Sequence, residues 1–298
     1  MKLVTFRRAD GTTFAGVMLN EQALASVSYP DLLELLRDPA GLERAAEARE
    51  RGKATDQLDA VQLLAPVPEP PTLRDFYAFE QHVKAARAKR GLGMIPEWYE
   101  IPTFYFSNTS EIYGPESVVP YPRGSQELDF ELEIACVIGK EGKDIPVEDA
   151  AQYIAGYTIM NDWSARDFQR KDMKLNLGPG KGKDFATSLG PFLVTPDELE
   201  TRRTGSGASE RYDMPMITRI NGREISRGNF KDIHFSFAQM IAYASRNTRL
   251  RIGDVLGSGT VGTGCILELG TEVHRWLQPG DLVEMEIEGI GVLRNTVG

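Results

Sequence analysis

The chain has 298 residues, of which 41% are hydrophobic and 26% charged, and its formal net charge is −9. That length buries a sizeable core without disulfides, and the composition is that of a folded globular protein rather than a disordered or membrane-embedded one. The acidic balance, with no long basic tract, excludes a partner recognised through a phosphate backbone, and the apolar runs are too short to span a bilayer.

The opening MKLVTFRRADGTTFAGVML alternates apolar and polar residues around Asp10-Gly11, which predicts a β-hairpin within residues 1–28. It lacks the apolar centre of a secretory signal, so a cytoplasmic location is expected and Asn108-Thr-Ser110 is not expected to carry a glycan. From Tyr29 to Arg51, Leu32, Leu33, Leu35 and Leu36 and a charged, alanine-rich tail predict one amphipathic helix and a second short one. Pro66, Pro68, Pro70 and Pro71 can continue neither a helix nor a central strand. They divide a small N-terminal α+β domain, residues 1–69, from a larger domain, residues 70–298.

Beyond that boundary, FYFSN, ELEIACVIG, GYTIMND, PFLVT, MITRING, CILELG and LVEMEIEG read as strands between glycine and proline turns. Helices are expected from Phe79 through Arg90, from Phe235 to about Arg246, and from Ser164, where Asp167 three residues on has the form of a capping box. So many strands without regularly alternating helices predict a mainly β, α+β fold. Cys136 and Cys265 lie in apolar runs and are expected as buried free thiols.

The chemistry begins with acids. Glu131 and Glu133 are two apart in a strand-like run and share a face, an arrangement that repels unless a cation lies between them; alone, it equally describes a solvated acidic strand. Asp162 ends a strand and Asp75 follows the proline linker; together the four would suit a hard divalent cation, magnesium, calcium or manganese, rather than zinc. Of three histidines, His82 stands seven residues after Asp75, two turns if that segment is helical, whereas His234 and His274 read as structural. Arg166 and Gln169, at i and i+3, could grip a carboxylate together. The run from Gly178 to Lys183 fails the phosphate-loop spacing. Gly257-Ser-Gly259-Thr-Val-Gly262 has the glycines of a dinucleotide fingerprint, but the CILELG that follows reads as a strand and would leave no helix to hold a pyrophosphate.

Across roughly residues 72–296 the chain resembles the fumarylacetoacetate hydrolase family. The resemblance rests on Asp75-Phe-Tyr77-Ala-Phe-Glu-Gln-His82, Glu131-Leu-Glu133, Asn161-Asp-Trp-Ser-Ala-Arg166-Asp-Phe-Gln169, Lys183-Asp-Phe-Ala-Thr187, Gly257-Ser-Gly-Thr260 and Gly264-Cys-Ile-Leu-Glu268, in that order. It implies a mixed β-sandwich roll that forms a homodimer. It also implies Asp75, Glu131, Glu133 and Asp162 as ligands of a divalent cation, and His82 and Glu268 as a hydrolytic pair aided by Lys183, Arg166 and Gln169. Tyr77, Tyr105 and Thr260, with Arg166 and Gln169, would then contact the substrate. Smaller relatives carry a glutamate three residues after the histidine. Here Ala85 stands at that place, which favours hydrolysis of a carbon–carbon bond in a small 1,3-dicarbonyl or 2-oxo acid. The superfamily also holds decarboxylases, isomerases and hydratases, so an oxaloacetate decarboxylase or a 2-hydroxy-dienoate isomerase or hydratase stays the alternative.

Overall fold

The computed structural model describes residues 1–298. Strands β1 (Lys2–Arg7) and β2 (Thr13–Met18) form the expected hairpin, and β3 (Ala23–Val27) adds a third strand. Asp10 accepts from the Thr12 amide at 2.9 Å to close the turn. Two helices follow, α1 (Leu32–Arg37) and α2 (Gly41–Arg51), the shorter one first. Asp31 caps α1 by accepting from the Glu34 amide, and Pro39 keeps the two helices apart.

The remaining elements position the site: β4 (Leu73–Phe76), α3 (Glu80–Ala88), β5 (Phe104–Ser107), β6 (Leu132–Ile138), β7 (Ile154–Asp162), α4 (Arg166–Asp172), β8 (Thr187–Val194), β9 (Pro215–Ile220), β10 (Arg223–Asn229), α5 (Phe237–Ala244), β11 (Val255–Gly257), α6 (Ile266–Leu269), β12 (Leu282–Ile287) and β13 (Gly291–Val297). A twelve-stranded sheet runs in the order β3, β2, β1, β8, β7, β6, β11, β4, β5, with short strands completing it. A five-stranded sheet contains β10, β9, β12 and β13 and packs on it, β13 against β8 and β12 against β7. The fold is thus mainly β. Leu3 pairs with Leu193, so the N-terminal strands continue the main sheet at its β8 edge.

Side-chain alternation explains the layers. In β6, Ile134, Cys136 and Ile138 enter the core shared with Met216, Ile220, Met285 and Leu293, while Ala135 and Val137 join Leu3, Val17, Leu32 and Leu35 on the other face. Both faces are covered, which is why this strand reads as a continuous apolar run. Both cysteines are buried and free. No helix is long and apolar enough to cross a membrane.

Two local expectations need correction. CILELG is a helical turn, α6, with Cys265 at its N-cap, rather than a strand. Four residues are too few for periodicity to separate the two. Ser164 caps nothing: α4 begins after Ala165, the Ser164 hydroxyl donates to the Asp162 carbonyl at 3.0 Å, and the Asp167 carboxylate accepts instead from Ser125 at 2.6 Å.

Candidate active site

Asp75, Glu131, Glu133 and Asp162 come from three strands of the large sheet, with β11 lying between β4 and β6, and from the residue just before β6. Asp75 is in β4, Glu133 in β6, Asp162 at the end of β7, and Glu131 immediately precedes β6. All four are buried, and one oxygen from each lies within 4.8 Å of the others. Donors around a single hard cation at about 2.0–2.6 Å would be separated by no more than about 4–5 Å, so the set fits such an ion. Glu133 Oε1 and Asp162 Oδ1 are buried without a hydrogen-bond donor, and a buried carboxylate oxygen left so is costly unless a cation satisfies it.

The rest of the cluster is held by donors. The amide of Gly259 donates to Asp75 Oδ1 at 3.2 Å and to Glu133 Oε2 at 3.1 Å. Gly259 needs its positive φ of 78°, and a Cβ there would meet the Phe76 carbonyl oxygen at 2.5 Å, so only glycine presents that amide. The glycine pattern from Gly257 to Gly262 therefore serves two carboxylates rather than a pyrophosphate. Lys183 Nζ, itself buried, donates to Asp162 Oδ2 at 2.6 Å and to Glu131 Oε2. The Lys183 segment packs closely on α4 because Gly182 has no side chain; a Cβ there would meet Gln169 Cα at 2.6 Å. Tyr105, opposite Asp75 in β5, donates its hydroxyl to Asp162 Oδ2.

Burial and mutual repulsion divide the four acids electrostatically. Burial, reinforced by the charge of Asp162, raises Asp75 to about 8. Burial, with Asp75 and Asp162 beside it, pushes Glu133 well above the carboxylate range. Burial also raises Asp162, against the pull of Lys183. Glu131 goes the other way: burial opposes its ionisation, but Lys183 and Arg166 overcome that and hold it at about 2.

His82 and Asp75 do not lie on one helix; Asp75 is the third residue of strand β4 and His82 the third residue of α3, so a turn rather than helical periodicity brings both to the site. His82 Nδ1 and Glu268 Oε2 are 2.9 Å apart, with both side chains about 5% exposed. Tyr77 stands edge-on to the His82 ring at 5.6 Å, and its carbonyl accepts from Trp98 Nε1 at 2.9 Å. Thr260 is buried beside Gly259.

Arg166 is only 1% exposed. Its Nε donates to Asp129 Oδ2 at 2.8 Å, its Nη2 pairs with Glu131 Oε1 at 2.8 Å, and its Nη1 donates to Gln169 at 2.9 Å. Sequence reasoning missed Asp129, although Asp129, Glu131 and Glu133 alternate in one run. It also missed that Cys265 lies within 4.8 Å of His82 and Glu268, for which the sequence carries no local signal. His234 and His274 stand apart from this centre: His234 packs on Trp98 at 4.9 Å, its pKa lowered by burial, and His274 bonds the neighbouring Arg275 carbonyl.

The chain is thus a mainly β fold that brings four buried carboxylates together beside a histidine–glutamate pair. The family model for the fumarylacetoacetate hydrolase C-terminal domain matches residues 72–298, and the chain belongs to that family. It is similar to the mitochondrial oxaloacetate tautomerase fahd2 of Xenopus laevis, 36% identical over 66% of this chain and 58% of that protein, so the match spans little more than half the relative's length. It is also similar to the solved structure of a fumarylacetoacetate hydrolase from Exiguobacterium antarcticum, 28% identical over 100% of this chain and 99% of that one, with a TM-score of 0.74. A 5-carboxymethyl-2-hydroxymuconate delta-isomerase from Mycobacterium smegmatis matches at 26% identity over 100% and 99% of the two chains, with a TM-score of 0.73.

Proposed function

We propose that the protein is a divalent-cation-dependent hydrolase that cleaves a carbon–carbon bond in a small 1,3-dicarbonyl or 2-oxo acid. The observation that carries this reading is the 2.9 Å His82–Glu268 contact beside the acid cluster. A water-activating base needs an orienting partner and a place next to the polarised substrate. Asp75, Glu131, Glu133 and Asp162 would hold the cation, magnesium, calcium or manganese, which supplies Lewis acidity toward the two substrate oxygens when bound.

Glu268 orients the His82 imidazole so that its other nitrogen takes a proton from water. The water oxygen attacks the carbonyl carbon next to the scissile bond, and the oxyanion formed is met by donors already in place. Lys183 and Gln169 fill that role, with Arg166 acting through its bond to Gln169. As the oxyanion collapses, the carbon–carbon bond breaks, its electron pair leaves as an enolate, and imidazolium returns the proton to that fragment. Tyr77, Tyr105 and Thr260 line the substrate's path, and the active form is expected to be a homodimer.

A second reading keeps the same residues: His82 removes a proton from the carbon between the two carbonyls and returns it elsewhere, as an oxaloacetate tautomerase would require. The 36% identity to a protein of that name favours it. Incubation of fumarylacetoacetate, fumarylpyruvate, acylpyruvates and oxaloacetate in ¹⁸O-labelled deuterium oxide, with magnesium and with manganese, separates the two. Hydrolysis delivers one labelled carboxylate per bond cleaved. Intact substrate whose only change is its keto–enol ratio or its deuterium content would replace hydrolysis with the second reading.

A further inference from the structure

Asp129, which no part of the proposed chemistry uses, is completely buried. It lies in a two-residue strand, Leu128–Asp129, paired with Ser164–Ala165; Asp129 stands opposite Ser164, and Ala165, opposite Leu128, immediately precedes Arg166 and α4. Its carboxylate is fully engaged. Oδ1 accepts from the amides of Phe130 and Ile266, both at 2.8 Å. Oδ2 accepts from the Leu267 amide at 2.9 Å and from Arg166 Nε at 2.8 Å.

These partners belong to two halves of the site. Ile266 and Leu267 are the first two residues of α6, and the third is Glu268. Cys265, at the N-cap, offers no side-chain cap, so Asp129 satisfies from another segment the free amides that a helix start leaves open. On its other side Asp129 holds Arg166, whose Nη2 lies 2.8 Å from both Asp129 Oδ2 and Glu131 Oε1. A carboxylate that served only as a core counter-ion would need the guanidinium alone; this one also fixes the turn that carries the partner of His82.

We propose that Asp129 is a positioning residue that sets Glu268 against His82 and Glu131 within the acid cluster at the same time. The inference rests on the histidine–glutamate pair described under Proposed function, but part of its test needs no substrate. Asp129→Asn keeps the shape and removes one acceptor oxygen, so it cannot accept from all four donors. Arg166→Lys keeps the charge and loses the fork that spans Asp129 and Glu131.

The proton shared by His82 Nδ1 and Glu268 should give a downfield proton resonance, assigned by its loss in Glu268→Gln. Asp129→Asn should lose or shift that resonance, whereas Arg166→Lys should keep it, and both should bind manganese about 10- to 100-fold more weakly than the wild type. With any substrate the wild type turns over, Asp129→Asn should lower kcat about 10- to 100-fold with KM nearly unchanged, and should lower it little further in a Glu268→Gln background. An unshifted resonance with wild-type manganese affinity overturns the proposal, as do fully additive losses in the double variant. Wild-type protein that shows the resonance but turns over no substrate removes the reaction and leaves the positioning tested. Should Asp129→Asn fail to fold, Arg166→Lys with undiminished manganese affinity overturns the link to Glu131.

Discussion

At the scale of single residues, the site combines a cluster that opposes folding with a pair to which the proposed function assigns the chemistry. Glu133 is buried with one oxygen unpaired and its pKa pushed well up, and Asp75 is raised to about 8. An acid whose folded pKa exceeds its unfolded value, about 4.3 for glutamate, binds more protons folded than unfolded. Without a cation, therefore, the folded state loses stability as pH rises above that value. Glu133→Gln removes this penalty. In chelator at neutral pH the variant should melt at least about 2 °C above the wild type, with the advantage fading below about pH 4. It should also bind manganese far more weakly, and a variant that melts lower in chelator would contradict the assignment of strain to that carboxylate. His82→Ala should lower turnover by about 10²–10⁴ while leaving cation content unchanged in a metal analysis; retained activity would remove the base from the mechanism.

At the scale of elements, the site depends on where strands stop. β4 and β11 are parallel with Asp75 beside Gly257, and the turn that follows aims the Gly259 amide at two carboxylates. Gly259→Ala would force a Cβ to 2.5 Å from the Phe76 carbonyl and strain a positive φ, so it should cost on the order of 1–3 kcal/mol of stability and weaken cation binding. Wild-type melting and affinity in that variant would show that the amide plays no part. The strands were legible in the sequence because β12 alternates and β6 and β7 are apolar runs bounded by turn residues, and the acids were legible because Glu131 and Glu133 share a run with Asp162 at a strand end. The turn of α6 was not, since Leu-Glu-Leu fits either period over so short a span. The placement of His82 beside the acids came from the family motif, while the helical spacing offered for it has no counterpart in the strand–turn–helix that connects it to Asp75. Asp129 stood in the same alternating run as the glutamates, but its partners in α6 and α4 are remote in sequence and only the folded chain brings them together.

At the scale of the molecule, the N-terminal strands share a core with the site-bearing sheet. Leu3, Val17, Leu32 and Leu35 pack with Val137, Met160 and Leu193, and β1 covers the edge of β8. Each such side chain contributes about 1.5–3 kcal/mol by burial. Residues 70–298 alone should accordingly melt at least about 10 °C lower than the full chain, or aggregate through the uncovered strand; equal melting temperatures would show the two parts to be independent. What the whole fold achieves is the convergence of four acids from separate segments, and that convergence is tested most directly by locating manganese in crystals of the protein by anomalous scattering. The account predicts one ion per chain, bound by oxygens of Asp75, Glu131, Glu133 and Asp162. Manganese bound elsewhere, or absent from this cluster at saturating concentration, would contradict it.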